Sequence, residues 1–259
     1  MTLIHKVSSD WEARIWFEGT GWAERRLEVT PAIAGWDSLS FRTYTFRSGQ
    51  VIDGESATDE MAMILLSGAL TMEVVGPGFS ETWEMQGRPD VFTGPPHAAY
   101  LPPGFTYKLT VHADADCAYG RAPATGARPP RLMRPGEMGT IISTAYMAEQ
   151  MTEVLTPDVT ERLLCNETLM REGWWSLAPP DPDNEGTAAT STSNEVMYYR
   201  TRPESGWAVQ RLYDDAGTLD ETLTVRNGDA VIVRGGQRPI VTGPGAEVYG
   251  LRFWVGPIS

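Results

Sequence analysis

Cysteine, histidine and lysine are scarce in this 259-residue chain, and each scarcity removes a class of function. The two cysteines, Cys117 and Cys165, lie far apart with no CxxC spacing. That excludes a disulfide framework and a thiolate zinc centre, and leaves two reduced, buried thiols as the expectation. The three histidines, His5, His97 and His112, are scattered without a His-x-His pair, so sequence neighbours assemble no imidazole metal site. Each is expected to be a surface or structural residue. Lysine occurs only at Lys6 and Lys108, the formal net charge is −13, and no Lys/Arg cluster stands out, so a nucleic-acid partner is excluded by charge repulsion. Long apolar runs are missing too. Asp10, Glu12, Arg14 and Glu18 interrupt the stretch where a signal peptide needs continuous apolar residues, and nothing later is long enough to span a bilayer. The expectation is a soluble, cytoplasmic protein with no membrane partner.

What the chain does have is short apolar runs punctuated by 26 glycines and 19 prolines, a pattern that favours β-structure over helix bundles. Strands are expected at Ser40–Phe46, Met61–Leu66, Ala69–Val75, Ala98–Leu101, Tyr107–Val111 and Cys117–Arg121. After a Pro-rich stretch from Ala122 to Pro135 that reads as a linker, the rhythm resumes. Strands are expected there at Arg162–Met170, Trp174–Leu177, Val196–Arg200, Trp207–Tyr213, Glu221–Val225, Asp229–Val233 and Val248–Val255. The division is an N-terminal lobe over 1–121, a connecting segment over 122–160 and a C-terminal lobe over 161–259. The two lobes share a grammar: Glu60 precedes the apolar run Met61–Leu66 as Glu195 precedes Val196–Tyr199, which suggests duplication.

The most specific stretches are Leu163-Leu164-Cys165-Asn166-Glu167, Trp175-Ser176-Leu177-Ala178-Pro179-Pro180, Glu195–Tyr199, Gln210–Asp215, Asp220-Glu221-Thr222 and Gly235-Gly236-Gln237-Arg238-Pro239. In these the chain resembles the 5-deoxyglucuronate isomerase family and the related 5-keto-4-deoxyuronate isomerases. The resemblance implies an all-β double cupin with a divalent metal in its C-terminal barrel, held by His-x-His, a Glu and a last His, and an aldose–ketose interconversion of a sugar acid. Imidazole and carboxylate ligands suit that reaction because they leave open positions on a Lewis acid that polarises a carbonyl. Carried over position by position, the implied ligand places fall on Asp181, Asp183, Glu195 and Arg238.

Arg238 alters the expectation, because a guanidinium has no lone pair to give a metal and stays protonated. No metal and no other cofactor is therefore expected, although three carboxylates at Asp181, Asp183 and Glu195 would suit a hard cation if Arg238 did not oppose one. Arg238 could pair with those carboxylates and fill the pocket, or anchor a substrate carboxylate or enolate oxygen while a carboxylate or tyrosine moves a proton. Period-two alternation from Glu195 puts Met197 and Tyr199 on its face, which makes Tyr199 a candidate proton donor or a packed core tyrosine. On the next strand either Gln210 with Leu212 or Arg211 with Tyr213 lines the cavity, the family match favouring Gln210. Trp174, Trp175, Trp207 and Trp254 are candidates for an aromatic wall, and Asn184–Asn194 for a loop over the cavity mouth.

The expected catalytic residues are thus Arg238, Glu195, Asp181, Asp183 and Tyr199, with Gln210, Trp175, Tyr213 and Met197 binding a small-molecule substrate. The leading expectation is a metal-independent isomerase or cyclase of specialised-metabolite biosynthesis. The alternatives are the metal-dependent isomerase itself and a non-catalytic binding cupin. The N-terminal lobe is expected to be structural or to form a homodimer surface.

Overall fold

Strand-forming segments occupy most of the described residues of the computed structural model, namely 6–8, 13–17, 21–143, 149–175 and 194–256. One nine-stranded sheet builds the N-terminal lobe, while a seven-stranded and a three-stranded sheet build the C-terminal lobe. The only α-helix among the described residues is Pro31–Ala34, capped by the Thr30 side chain at its start and by left-handed Gly35 at its end.

The expected strands Ser40–Phe46, Ala98–Leu101 and Trp207–Tyr213 have those bounds in the structure. Two pairs of expected strands are each one long strand. Asp59–Gly76 and Thr106–Pro123 run for 18 residues and turn by register shifts between Leu65 and Leu70. Gly68 occupies that corner at φ +91, where a side chain would collide with the Asp114 carbonyl. The bulges let one strand serve two layers, because residues before them pair with Ala98–Leu101 and residues after them with Phe79–Gln86. Of the expected strand Trp174–Leu177, Trp175 makes an isolated bridge to Val241, and residues 176–193 lie outside the described part. Segment 122–160, expected to connect the lobes, is itself built into both. Arg131–Met133 pairs with the N-terminal sheet, whereas Thr140–Ser143 and Glu149–Leu155 extend the C-terminal one.

The two lobes repeat one another strand for strand. In the N-terminal sheet Ser40–Phe46, Thr106–Pro123, Asp59–Gly76 and Ala98–Leu101 lie side by side in that order. In the C-terminal sheet the order is Leu163–Met170, Glu247–Val255, Glu195–Arg202 and Ala230–Val233. The edges beyond are exchanged. Lys6–Val7 caps the C-terminal sheet beside Ala230–Val231, and Arg131–Met133 caps the N-terminal sheet. The short pairing of Lys6–Val7 is reinforced by an ion pair from Lys6 to Asp229 at 3.1 Å.

Alternation decides where each core sits. Met61, Met63, Leu65 and Cys117 point into the N-terminal lobe, and Tyr199, Val231, Val233 and Val248 into the C-terminal one. Their neighbours Ala62, Ile64, Val196, Tyr198, Ile232, Leu251 and Phe253 point the other way and pack against each other between the lobes. Strands buried on both faces read as continuous apolar runs, as Met61–Leu66 does. Polar groups pin the same seam. Glu60, fully buried, accepts hydrogen bonds from the Tyr100 hydroxyl and from the backbone N–H groups of Glu161, Arg162 and Leu163.

Candidate active site

Glu195, Met197 and Tyr199 share the inward face of strand Glu195–Arg202, as alternation predicts. Beside them on Glu247–Val255 the inward residues are Gly250, Arg252 and Trp254, because Leu251, Phe253 and Val255 are committed to the seam. Register places Trp254 opposite Glu195, and Arg252 opposite Met197. One strand further, Asn166 lies opposite Arg252 and Leu164 opposite Trp254.

Glu195 is completely buried, and each of its oxygens meets a guanidinium: Oε1 lies 2.7 Å from Arg238 Nε, and Oε2 lies 2.7 Å from Arg252 Nη2. The approach is side-on. Neither carboxylate oxygen and neither Nε makes an in-line hydrogen bond among the described residues, so the cluster is held by charge. Burial pulls the Arg252 guanidinium below the usual arginine range; Glu195 opposes that and Arg238 adds to it. The guanidinium carbon of Arg252 lies over the Trp254 ring, 4.1 Å from its centroid.

Arg238 arrives from a loop rather than a strand. Gly235 and Gly236 take φ of 109° and 82°, and a side chain on Gly236 would run into the Tyr213 carbonyl. The close approach permits paired hydrogen bonds between Gln237 and Tyr213 and another from Arg211 N to the Pro239 carbonyl, which hold the loop against Trp207–Tyr213.

Tyr199 is also fully buried. Its hydroxyl donates to Gln210 Oε1 at 3.0 Å, and Gln210 Nε2 lies 3.3 Å from Met197 Sδ. Burial pushes the Tyr199 phenol well above its usual range, with Arg238 drawing it down and Glu195 raising it, so the group is a hydrogen-bond donor at neutral pH.

The structure therefore brings together Glu195, Arg238, Tyr199, Gln210 and Met197. Two other expected residues face elsewhere. Tyr213 sits on the outer face of its strand under Arg211, 4.6 Å from the ring centroid, because Gln210 and Leu212 take the inward positions. Trp175 is 42% exposed, whereas its neighbour Trp174 is buried, as adjacent residues of an extended chain point apart. Of the aromatic wall, Trp207 is 38% exposed, Trp174 packs in the interior cluster that holds Tyr199, and Trp254 meets Arg252 of the charged cluster. Asp181, Asp183 and residues 184–193 lie outside the described residues. Arg252 was not singled out in the sequence, although a charge alternating with Val248, Gly250 and Trp254 on one face of the strand was the available signal.

The internal repeat corrects one correspondence. Met61 pairs with Leu101 and Arg121 and Ile64 pairs with Ala98, as Glu195 pairs with Val233 and Trp254 and Tyr198 pairs with Ala230. The counterpart of Glu195 is thus the apolar Met61, and not Glu60. A one-residue shift moves a side chain to the other face, and Glu60 accordingly belongs to the seam.

The described residues here do not fit a divalent metal. Two guanidiniums occupy the oxygens of Glu195, neither has a lone pair to offer, and their charge opposes a second cation. No three His, Cys, Asp or Glu side chains converge as a metal centre among the described residues. A separate cleft of about 280 Å³ opens at the lobe seam beside Val91, Phe92, Asp116 and Arg200, but Arg200 and Asp116 already pair at 2.7 Å.

Comparison with known proteins agrees with this architecture. The profile of the KduI/IolB family matches residues 19–258. A 5-deoxy-glucuronate isomerase of Geobacillus kaustophilus is 34% identical over 237 residues, which cover 90% of this chain and 84% of that protein. A crystal structure of an IolB-like protein from Salmonella typhimurium superposes with a TM-score of 0.84 at 25% identity, covering 98% of this chain and 93% of the other. The oxalate decarboxylase of Lactobacillus farciminis, at 9% identity, superposes with a TM-score of 0.73 over 100% of this chain and 88% of its own. At that identity the likeness concerns the fold alone, which is the double cupin. No helix among the described residues is long and apolar enough to cross a membrane.

Proposed function

The chain belongs to the KduI/IolB family of isomerase-type enzymes, and from that premise we propose that it interconverts the aldose and ketose forms of a sugar acid of the 5-deoxyglucuronate class without a bound metal. The observation that carries this reading is the capture of both Glu195 oxygens by Arg238 and Arg252. The names of the relatives support isomerisation over the cyclisation or specialised-metabolite role first expected.

In the proposed reaction Glu195 takes the proton from the carbon next to the substrate carbonyl. The C–H electron pair becomes the carbon–carbon double bond of an enediolate, and the carbonyl oxygen gains the charge. Arg238 stabilises that oxygen, as a fixed cation in a water-poor pocket does well. Glu195 then returns its proton to the former carbonyl carbon, while the hydroxyl proton of the neighbouring carbon passes to the first oxygen. Tyr199 and Gln210, linked at 3.0 Å, supply the hydrogen bond that orients the hydroxyl.

The test is turnover of 5-deoxyglucuronate followed by NMR, together with elemental analysis. Conversion should be unchanged after exhaustive chelation, and Glu195→Gln should lower kcat by about 10²-fold or more. Activity that returns only with an added divalent metal would overturn the metal-free reading, and absence of turnover would overturn the isomerase.

A further inference from the structure

We propose that Arg252 and Asn166, backed by the indole of Trp254, form the subsite that receives the substrate's carboxylate, leaving Arg238 to face the reacting oxygen.

Donor counting motivates it. Two guanidiniums bring ten N–H groups and two positive charges, whereas the one carboxylate between them has two oxygens with about four lone-pair sites. Among the described residues Glu195 is the acceptor that Arg238 and Arg252 share, so the described part of the cluster has more donors than acceptors and one positive charge in excess. Buried charge of that kind is costly until an anion completes it.

The two arginines are not equivalent. Arg252 stands on a strand paired on both sides, between Asn166 and Met197, and its guanidinium carbon lies over the Trp254 ring. A guanidinium seated on an aromatic ring in the middle of a sheet suits a group that does not react and is planar with two oxygens, because the fork of donors matches a carboxylate. Asn166, its cross-strand neighbour, spends an amide N–H on Met151 Sδ at 3.5 Å. A thioether is a weak acceptor, so this N–H exchanges readily to a carboxylate oxygen. Arg238, by contrast, comes from the pinned Gly235-Gly236 loop, holds the other Glu195 oxygen and stands beside Tyr199, on the side of the cluster where the proposed proton transfer takes place.

A single cation in excess fits a monoanion. The ligand class is a sugar carboxylate, and the assignment deepens the isomerase reading while standing on its own binding test.

D-Glucuronate and its neutral amide, D-glucuronamide, are the probes, titrated calorimetrically into the full chain. The wild type should bind glucuronate at least about tenfold more tightly than the amide. Arg252→Gln should abolish the preference by weakening glucuronate alone. Asn166→Ala, which leaves the arginine–Glu195 pairs in place, should weaken glucuronate a few-fold with the amide unchanged; it decides the matter if Arg252→Gln does not fold. A wild type that binds the two probes equally, or neither, overturns the proposal, as does a preference that survives both substitutions. A preference for glucuronate in a protein that turns over no sugar acid would keep the subsite and retire the isomerase.

Discussion

Gly120 of the N-terminal lobe lies directly against the ring of Phe253 in the C-terminal lobe, so close that a Cβ on Gly120 would sit 2.4 Å from two ring carbons. Phe253 also packs on Phe41 at 5.6 Å between centroids, which leaves the ring little room to retreat. Gly120→Ala should therefore destabilise the protein by about 1–3 kcal/mol, the usual cost of overfilling a packed core. Denaturant unfolding measures it. Adding Phe253→Leu should recover part of the loss, and additive effects would show that the two residues do not press on each other.

Arg88 and Glu167 form a buried, two-bonded pair across the seam at 3.0 and 2.6 Å, with the Tyr249 hydroxyl donating to the same carboxylate at 2.6 Å. Removing one charge strands the other, so Arg88→Met should cost about 3–5 kcal/mol. Arg88→Met combined with Glu167→Leu should cost less than the first change alone, which equilibrium unfolding of both variants would reveal.

At Tyr199 the loss of a hydroxyl can be separated from the loss of a ring. Tyr199→Phe should keep the fold, lose about 1 kcal/mol for the bond to Gln210, and reduce kcat more than it changes KM. An unchanged kcat would place Tyr199 in the core only.

Alkali should loosen this protein through its phenols. Burial pushes Tyr107 up to about 12, with Arg121 partly offsetting it, and raises Tyr119, Tyr199 and Tyr249 as well. A phenol whose pKa is higher folded than unfolded contributes stability that is complete below about pH 10 and is lost as pH rises through the folded value. Unfolding midpoints should accordingly hold through neutrality and fall above about pH 10. A flat profile to higher pH would mean that these hydroxyls ionise no more easily unfolded.

The sequence by itself determined the class of structure and its doubling. Turn residues between apolar runs mark the expected C-terminal strands that lie wholly among the described residues, because punctuation and alternation are local properties. Alternation likewise put Met197 and Tyr199 on the face of Glu195. Only the tertiary structure decided which strands adjoin and in what register. That choice carried Arg252 beside Glu195, set Gln210 rather than Tyr213 toward the interior, and made Met61 the counterpart of Glu195 while Glu60 tied the lobes together. The reason is physical: facing is set by a two-residue period that one segment carries alone, whereas register is set by burial against a partner far away in the chain, and one residue of slip reverses every side chain.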